Sequence, residues 1–258
     1  MTLVLGDVGL IAWRSARRTV RQPANVIAPL VFPLVLLALN SNGLQSATRI
    51  PGFPTDSFLS FFLPFTFIQG ALFAALTAGT DLARDIDTGF LNRLALTPLH
   101  GTALLLGQLG GALSQALIQS LIYLGIGIVL GVHVVSGAGG IVLLVLLALT
   151  ISAAFGSVGI WIALRTGSGE AVQAQFPVLF FLIILSSMNL PRNLIETDWF
   201  RGVATANPVS YMIEGLRSLI IEGWNLQALA LGFGISITTF IAGMTLSAFA
   251  LRKRMART

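Results

Sequence analysis

The chain has no cysteine among its 258 residues. That excludes a disulfide framework, a thiolate nucleophile and a thiolate metal site, and leaves the redox compartment open. Lysine is nearly absent: Lys253 stands alone against 14 arginines. The arginine bias fits a GC-rich bacterial genome. A phosphate-binding P-loop needs G-x-x-x-x-G-K-[ST], because backbone amides and a lysine must hold the phosphates. Lys253 lacks the glycines, so this chain is not an ATPase. Charge of either sign is scarce as well, at 10% of residues, where soluble domains carry roughly 25%. From Leu94 to Leu164 there are 71 consecutive residues without Asp, Glu, Lys or Arg. No water-soluble domain of this size keeps such a run. One crossing of a bilayer takes about 20 apolar residues, so the run must fold back at least once.

What is present is apolar: 55% of the chain is hydrophobic. Uncharged windows at Gln22–Thr48, Ser57–Thr80, Ala171–Pro191 and Gly223–Leu251 flank the long run. Each holds one helix and the long run holds two. The expectation is an all-α integral membrane protein with six spans. Their cores are Val26–Leu39, Phe58–Gly79, Thr102–Gly131, Gly140–Leu164, Val172–Leu190 and Leu226–Phe249. Pro29 and Pro33 interrupt the first, which fits a kinked helix whose freed carbonyls are satisfied by neighbours. A β-barrel would alternate apolar and polar residues, and these runs are apolar all round.

Basic residues set the orientation. The N-terminus, the second and fourth loops and the C-terminus carry 11 of the 15, and the opposite side carries Arg49, Arg192, Arg201 and Arg217. By the positive-inside rule both termini are cytoplasmic. The N-terminus does not read as a cleavable signal peptide, because its apolar stretch follows the arginines and lacks a cleavage site. Arg14, Arg17, Arg18 and Arg21 fall on one helical face, with Val4, Val8, Ile11 and Ala12 opposite. That is an in-plane amphipathic helix at the cytoplasmic interface, or a plain anchor. Its partners are membrane lipids rather than nucleic acid.

Polar chemistry concentrates in the loop after the second span, from Asp81 to Pro98. Asp87 or Thr88 can cap a short helix there. Phe90, Leu91 and Leu94 form an apolar face with Arg93 beside it, and Pro98 stops the helix. An apolar face exposed to cytosol asks for cover, either a soluble partner or the end of the bundle. A second concentration is the external segment Arg192–Glu222. Asn207 caps a helix with Pro208 at its first position. Val209, Met212, Ile213, Leu216 and Ile220 then repeat at helical spacing. Trp199 and Trp224 suit an interface. The segment either re-enters the bundle or lies on the outer surface.

Arg84-Asp85, Gly89, Leu91, Arg93, Leu94 and Thr97-Pro98, placed between the second and third spans, resemble the signature of type-2 ABC exporter permeases. Asn207-Pro208, Tyr211, Glu214 and Arg217 resemble the same family's Asn-Pro motif before the last span. The resemblance covers essentially the whole chain, 1–258, as one permease domain. It departs at Ala83, Asp85 and Asn92, where the family often has Glu. It implies a permease of the bacterial plasma membrane, paired with a second identical or homologous permease. Two ABC ATPase subunits would bind ATP and Mg, with no cofactor in this chain. Arg84, Asp85, Gly89, Phe90, Leu91, Arg93 and Leu94 would form the coupling segment to the ATPase. Asn207, Pro208, Tyr211, Glu214 and Arg217 would form the outer gate.

Within the spans polar residues are few. Gln108, Gly111, Gln115 and Gln119 share one face of the third span, and Gln69, Gln173, Gln175 and Asn189 could join them. This face meets either another helix or a translocation path. No charge lies deep in a span, which argues against a proton-coupled pump and suits an amphipathic or lipid-like cargo. Two other classes stay open. A secondary carrier or channel would often show internal repeats, which are not evident. An intramembrane enzyme would need a Ser–His pair or paired carboxylates at one depth. His100 and His133 lie near opposite ends of the third span, and Gly156-Ser157 has no nucleophile motif around it.

Overall fold

A computed structural model of the chain describes residues 12–14, 17, 23–89 and 101–255. Every regular element among them is helical. The main helices are α1 (Pro23–Gly43), α2 (Phe58–Asp87), α3 (Gly101–Val129), α4 (Gly137–Thr166), α5 (Gly169–Gln173), α6 (Gln175–Ile184), α7 (Asp198–Ala206), α8 (Pro208–Arg217) and α9 (Leu226–Met255). Among the described residues four helices are long and apolar enough to cross a membrane: Phe58–Asp87, Leu104–Val129, Gly137–Thr166 and Leu226–Arg254. The other two expected spans are shorter apolar helices, Pro29–Gly43 and Gly169–Ile184. The second of these is broken. Gly167 at φ +71° ends α4, the Ser168 side chain accepts from Ala171 N–H to start α5, and Ala174 interrupts the run before α6.

The central element is α2, which packs against α1, α3, α4, α5 and α8. Ser57 starts it, accepting from Ser60 N–H at 3.3 Å, and Gln45 Oε1 takes the Phe58 N–H at 3.1 Å. Two of the orphan donors at the helix start are thereby satisfied. Phe58, Phe61, Phe62 and Phe65 form a contiguous aromatic cluster with Phe53. The apolar face extends round most of α2, as befits a helix surrounded by others. Small residues set the spacing to α4. A Cβ on Gly79 would stand 2.8 Å from the Gly159 carbonyl oxygen, and one on Gly159 would collide with the Ala75 carbonyl. Without those side chains the two backbones touch.

One of the two prolines in α1 has its freed carbonyl satisfied by a neighbouring helix. Proline has no N–H, so Pro33 leaves the Pro29 carbonyl without its helical donor. Tyr123 of α3 donates its hydroxyl to that oxygen at 3.1 Å. The turn between α3 and α4 is fastened across the bundle. Residues 218–222 adopt a π-helical turn, and the Leu219 and Ile220 carbonyls accept from Ser136 Oγ at 2.6 Å and Val135 N–H at 3.1 Å. The outermost helix is α9, packed on α4 and α8, with Leu231, Ile237, Ile241, Leu246 and Phe249 exposed. An apolar exterior of this kind suits a lipid solvent.

Candidate functional site

The segment expected to couple to an ATPase begins inside α2 rather than in a loop. The helix runs to Asp87, eight residues beyond the expected end of the span at Gly79. Asp87 and Thr88 therefore close α2, and the short helix expected after them lies outside the described residues. Thr88 is the C-cap of α2, its Oγ1 donates to the Arg84 carbonyl at 2.9 Å, and Gly89 follows at φ +67°. A glycine in this left-handed conformation just past the cap is the usual helix stop. Arg84 and Asp85 consequently point to different sides: Arg84 is exposed and Asp85 is buried. Phe90, Leu91, Arg93 and Leu94 lie outside the described residues.

Asp85 has partners that its position alone did not suggest. Arg14 Nη2 lies 2.9 Å from both of its carboxylate oxygens. Gln108 Nε2 of α3 donates to Oδ2 at 3.1 Å. One buried carboxylate thus joins Arg14, the end of α2 and the start of α3. A half-exposed pair alone would contribute little. The charge-assisted bonds to a carboxylate that is 8% exposed raise its worth.

At the other end of α2, the five expected gate residues occupy one neighbourhood. Asn207 Oδ1 accepts from Val209 N–H at 2.9 Å, as an N-cap should, with Pro208 next. Its Nδ2 also donates to the Leu182 carbonyl at 2.6 Å. The α8 face of Val209, Met212, Ile213 and Leu216 is buried against the bundle. Trp199 and Trp224 are exposed.

Glu214 and Arg217 are not each other's partners. Glu214 takes a two-pronged bond from Arg192, with Nε to Oε1 at 2.8 Å and Nη2 to Oε2 at 2.6 Å, and a third from Ser187 Oγ at 2.9 Å. Burial works against the Arg192 charge, but Glu214 holds it above the ordinary guanidinium value. The Arg192 guanidinium also lies 4.4 Å from the centre of the Tyr211 ring. Arg217 is 4% exposed. It donates to the Phe61 carbonyl of α2 and the Met188 carbonyl, each at 3.1 Å, and stacks 3.6 Å from the Phe61 ring centre. Burial pushes its guanidinium down, with Glu214 and Glu222 working the other way. Arg192, Glu214, Arg217 and Phe61 border a cavity of about 530 Å³ that Arg201 and Glu222 also line. Arg192 was visible in the sequence only as one charge among several. Ser187 carried no signal at all, being one of two adjacent serines at the end of an apolar run.

The glutamine face lies inside the chain's own packing. Gln69, Gln108, Gln115 and Gln119 are all at most 4% exposed. Gln108 is committed to Asp85, and Gln115 Oε1 accepts from Thr77 Oγ1 of α2 at 2.9 Å. The Gln119 amide rests over Gly70, and among the described residues neither Gln69 nor Gln119 has a hydrogen-bond partner. The geometry gives this face contacts with α2. Among the described residues no group of three or more His, Asp or Glu side chains is placed to hold a metal ion.

Known proteins share this arrangement of sequence. The chain is 24% identical over 213 residues to a daunorubicin resistance ABC transporter permease protein of Streptomyces coeruleorubidus, covering 81% of this chain and 72% of that one. It is also 24% identical over 210 residues to a protein named as a probable doxorubicin resistance ABC transporter permease of Mycobacterium tuberculosis, covering 81% and 74%. The family model described as ABC-2 type transporter matches residues 7–221. That stretch includes the Arg14–Asp85–Gln108 junction and the Asn207–Arg217 helix, and the chain belongs to the ABC-2 type transporter family.

Proposed function

We propose that the chain is the membrane permease subunit of an ATP-driven exporter, moving an amphipathic drug-like or lipid-linked substrate out of the cytoplasm. The observation that carries this reading is the Asp85 junction. A buried carboxylate ties the arginine helix and α3 to the end of α2, immediately before the coupling segment. A force applied to that segment by a soluble partner would reach three elements at once. With no P-loop of its own, the chain draws its energy from separate ABC ATPase subunits, two copies with bound ATP and Mg. A second permease, identical or homologous, completes the pathway. Each chain acts as one domain in the bacterial plasma membrane, with six spans and both termini in the cytoplasm. The short α1 and the broken α5–α6 supply the two spans beyond the four long helices.

The outer gate comprises Asn207, Pro208, Tyr211, Glu214 and Arg217, on an α8 that re-enters the bundle. Its buried apolar face supports this placement over one on the outer surface. The relatives' names speak of daunorubicin and doxorubicin resistance, which makes such a drug the first substrate to try. The test is to reconstitute the permease with an ABC ATPase that co-purifies with it and to follow ATP-dependent movement of doxorubicin across proteoliposomes. Asp85→Asn is expected to slow transport while ATP hydrolysis continues, because the junction and not the nucleotide site is weakened. Movement of substrate that does not need ATP, or failure of any ATPase to co-purify, overturns the reading.

A further inference from the structure

At the end of the bundle that holds Met255, α4 and α9 leave a groove of about 660 Å³ between them. Its polar end is lined by Arg165, Lys253 and Arg254, and its apolar end by Trp161, Leu246 and Phe249. No carboxylate lines it, and among the described residues none of the three cations has a carboxylate within salt-bridge distance. One of the three is partly used. Arg254 Nη1 donates to the Leu164 carbonyl at 3.0 Å, closing the end of α4. Arg165 and Lys253 are exposed and make no such bond.

The two halves of the groove are ordered along the helices. On α9, Leu246 and Phe249 precede Lys253 by seven and four residues, about 10 Å and 6 Å at 1.5 Å per residue. On α4, Trp161 precedes Arg165 by one turn. The cations therefore stand at the helix ends, and the apolar wall lies one to two turns deeper. A phospholipid has the same order along a bilayer normal, with its phosphate at the surface and its chains inside. Basic side chains at this level attract anionic headgroups. The outward face of α9 is apolar, with Phe249 63% exposed, so the groove opens sideways to the bilayer.

We propose that this groove binds one anionic phospholipid, such as phosphatidylglycerol. Its phosphate is held by Arg165 and Lys253, and one acyl chain lies along Phe249, Leu246 and Trp161. A soluble acidic segment would satisfy the cations but leave the apolar wall uncovered. A neutral phospholipid would cover the wall but not the charges.

The experiment uses the full-length permease in neutral detergent, with thermal unfolding as the readout and native mass spectrometry to count bound lipid. The ligands are short-chain phosphatidylglycerol, short-chain phosphatidylcholine and glycerol phosphate. Phosphatidylglycerol is expected to raise Tm and to remain bound, while the other two do neither. Arg165→Gln with Lys253→Gln should weaken phosphatidylglycerol binding about thirtyfold, which corresponds to about 1 kcal/mol for each cation. Phe249→Ala should weaken it without altering charge. Arg165→Lys with Lys253→Arg keeps the charges and should keep the binding, which separates loss of the ligand from loss of the fold. Equal stabilisation by phosphatidylcholine overturns the proposal, as does equal stabilisation by glycerol phosphate or unchanged lipid retention in the charge-removing variant.

Discussion

The residues that matter most here are polar groups in apolar surroundings, and each can be judged by what it bonds. Tyr123→Phe keeps the ring and removes only the donor to the Pro29 carbonyl. Such a bond between membrane helices contributes about 1 kcal/mol, so Tm should fall measurably. In a Pro33→Ala background the helix supplies its own donor, and the same substitution should then cost nothing. The glutamines divide in the same way. Gln115→Leu breaks the bond with Thr77 and is expected to lower stability. Gln119→Leu removes a buried amide that has no partner among the described residues. Relieving an unsatisfied polar group is worth about 1–3 kcal/mol, so thermal unfolding should move upward. If export falls while stability rises, Gln119 serves the substrate path instead. Asn207 was legible from sequence because a cap followed by proline is a local pattern. The Arg192–Glu214 pair was not, because 22 residues separate the two and several charges of both signs compete nearby. Arg217 shows the same limit. Its bonds go to main-chain carbonyls, one of them 156 residues away, and no side-chain pattern reports a carbonyl.

Among the elements, the long helices followed from length and composition, since only helices and closed barrels satisfy the backbone in lipid and these runs do not alternate as barrel strands do. Their ends were harder to read. Asp81, Arg84, Asp85 and Asp87 look like the end of a span, yet α2 continues through all four to Asp87. Charge marks where lipid stops, whereas Gly89 marks where the helix stops. The break between α5 and α6 does have a local cause that a count of uncharged residues passes over: Pro177 cannot donate to the Gln173 carbonyl and is accommodated in the first turn of a new helix. The α2–α4 contact gives a direct check. Gly159→Leu places a side chain against the Ala75 backbone, and backbone cannot swing aside as a rotamer can. Size-exclusion chromatography should show loss of the monodisperse protein. Gly169→Leu, where nothing stands within 4 Å, should behave as wild type.

On the scale of the whole molecule, orientation is the property that composition alone suggested and packing does not address. The absence of cysteine makes it easy to measure, since any thiol introduced is the only one. His133 is exposed in the turn between α3 and α4, and Thr166 is exposed at the far end of α4. With cytoplasmic termini, His133→Cys should react with a membrane-impermeant maleimide in intact cells, and Thr166→Cys only after the membrane is opened. The reverse pattern would invert the molecule and place the coupling segment outside. It would leave the α4–α9 groove intact.

The Tyr123–Pro29 bond also bears on how the protein is made. Its two ends are 94 residues apart in sequence. The ribosome delivers α1 long before α3, so α1 first meets lipid with a bare carbonyl, which is costly there. Until Tyr123 arrives, the first helix has reason to stay at the surface or beside the insertion machinery. The bond that completes the first helix therefore cannot form before the third helix has emerged.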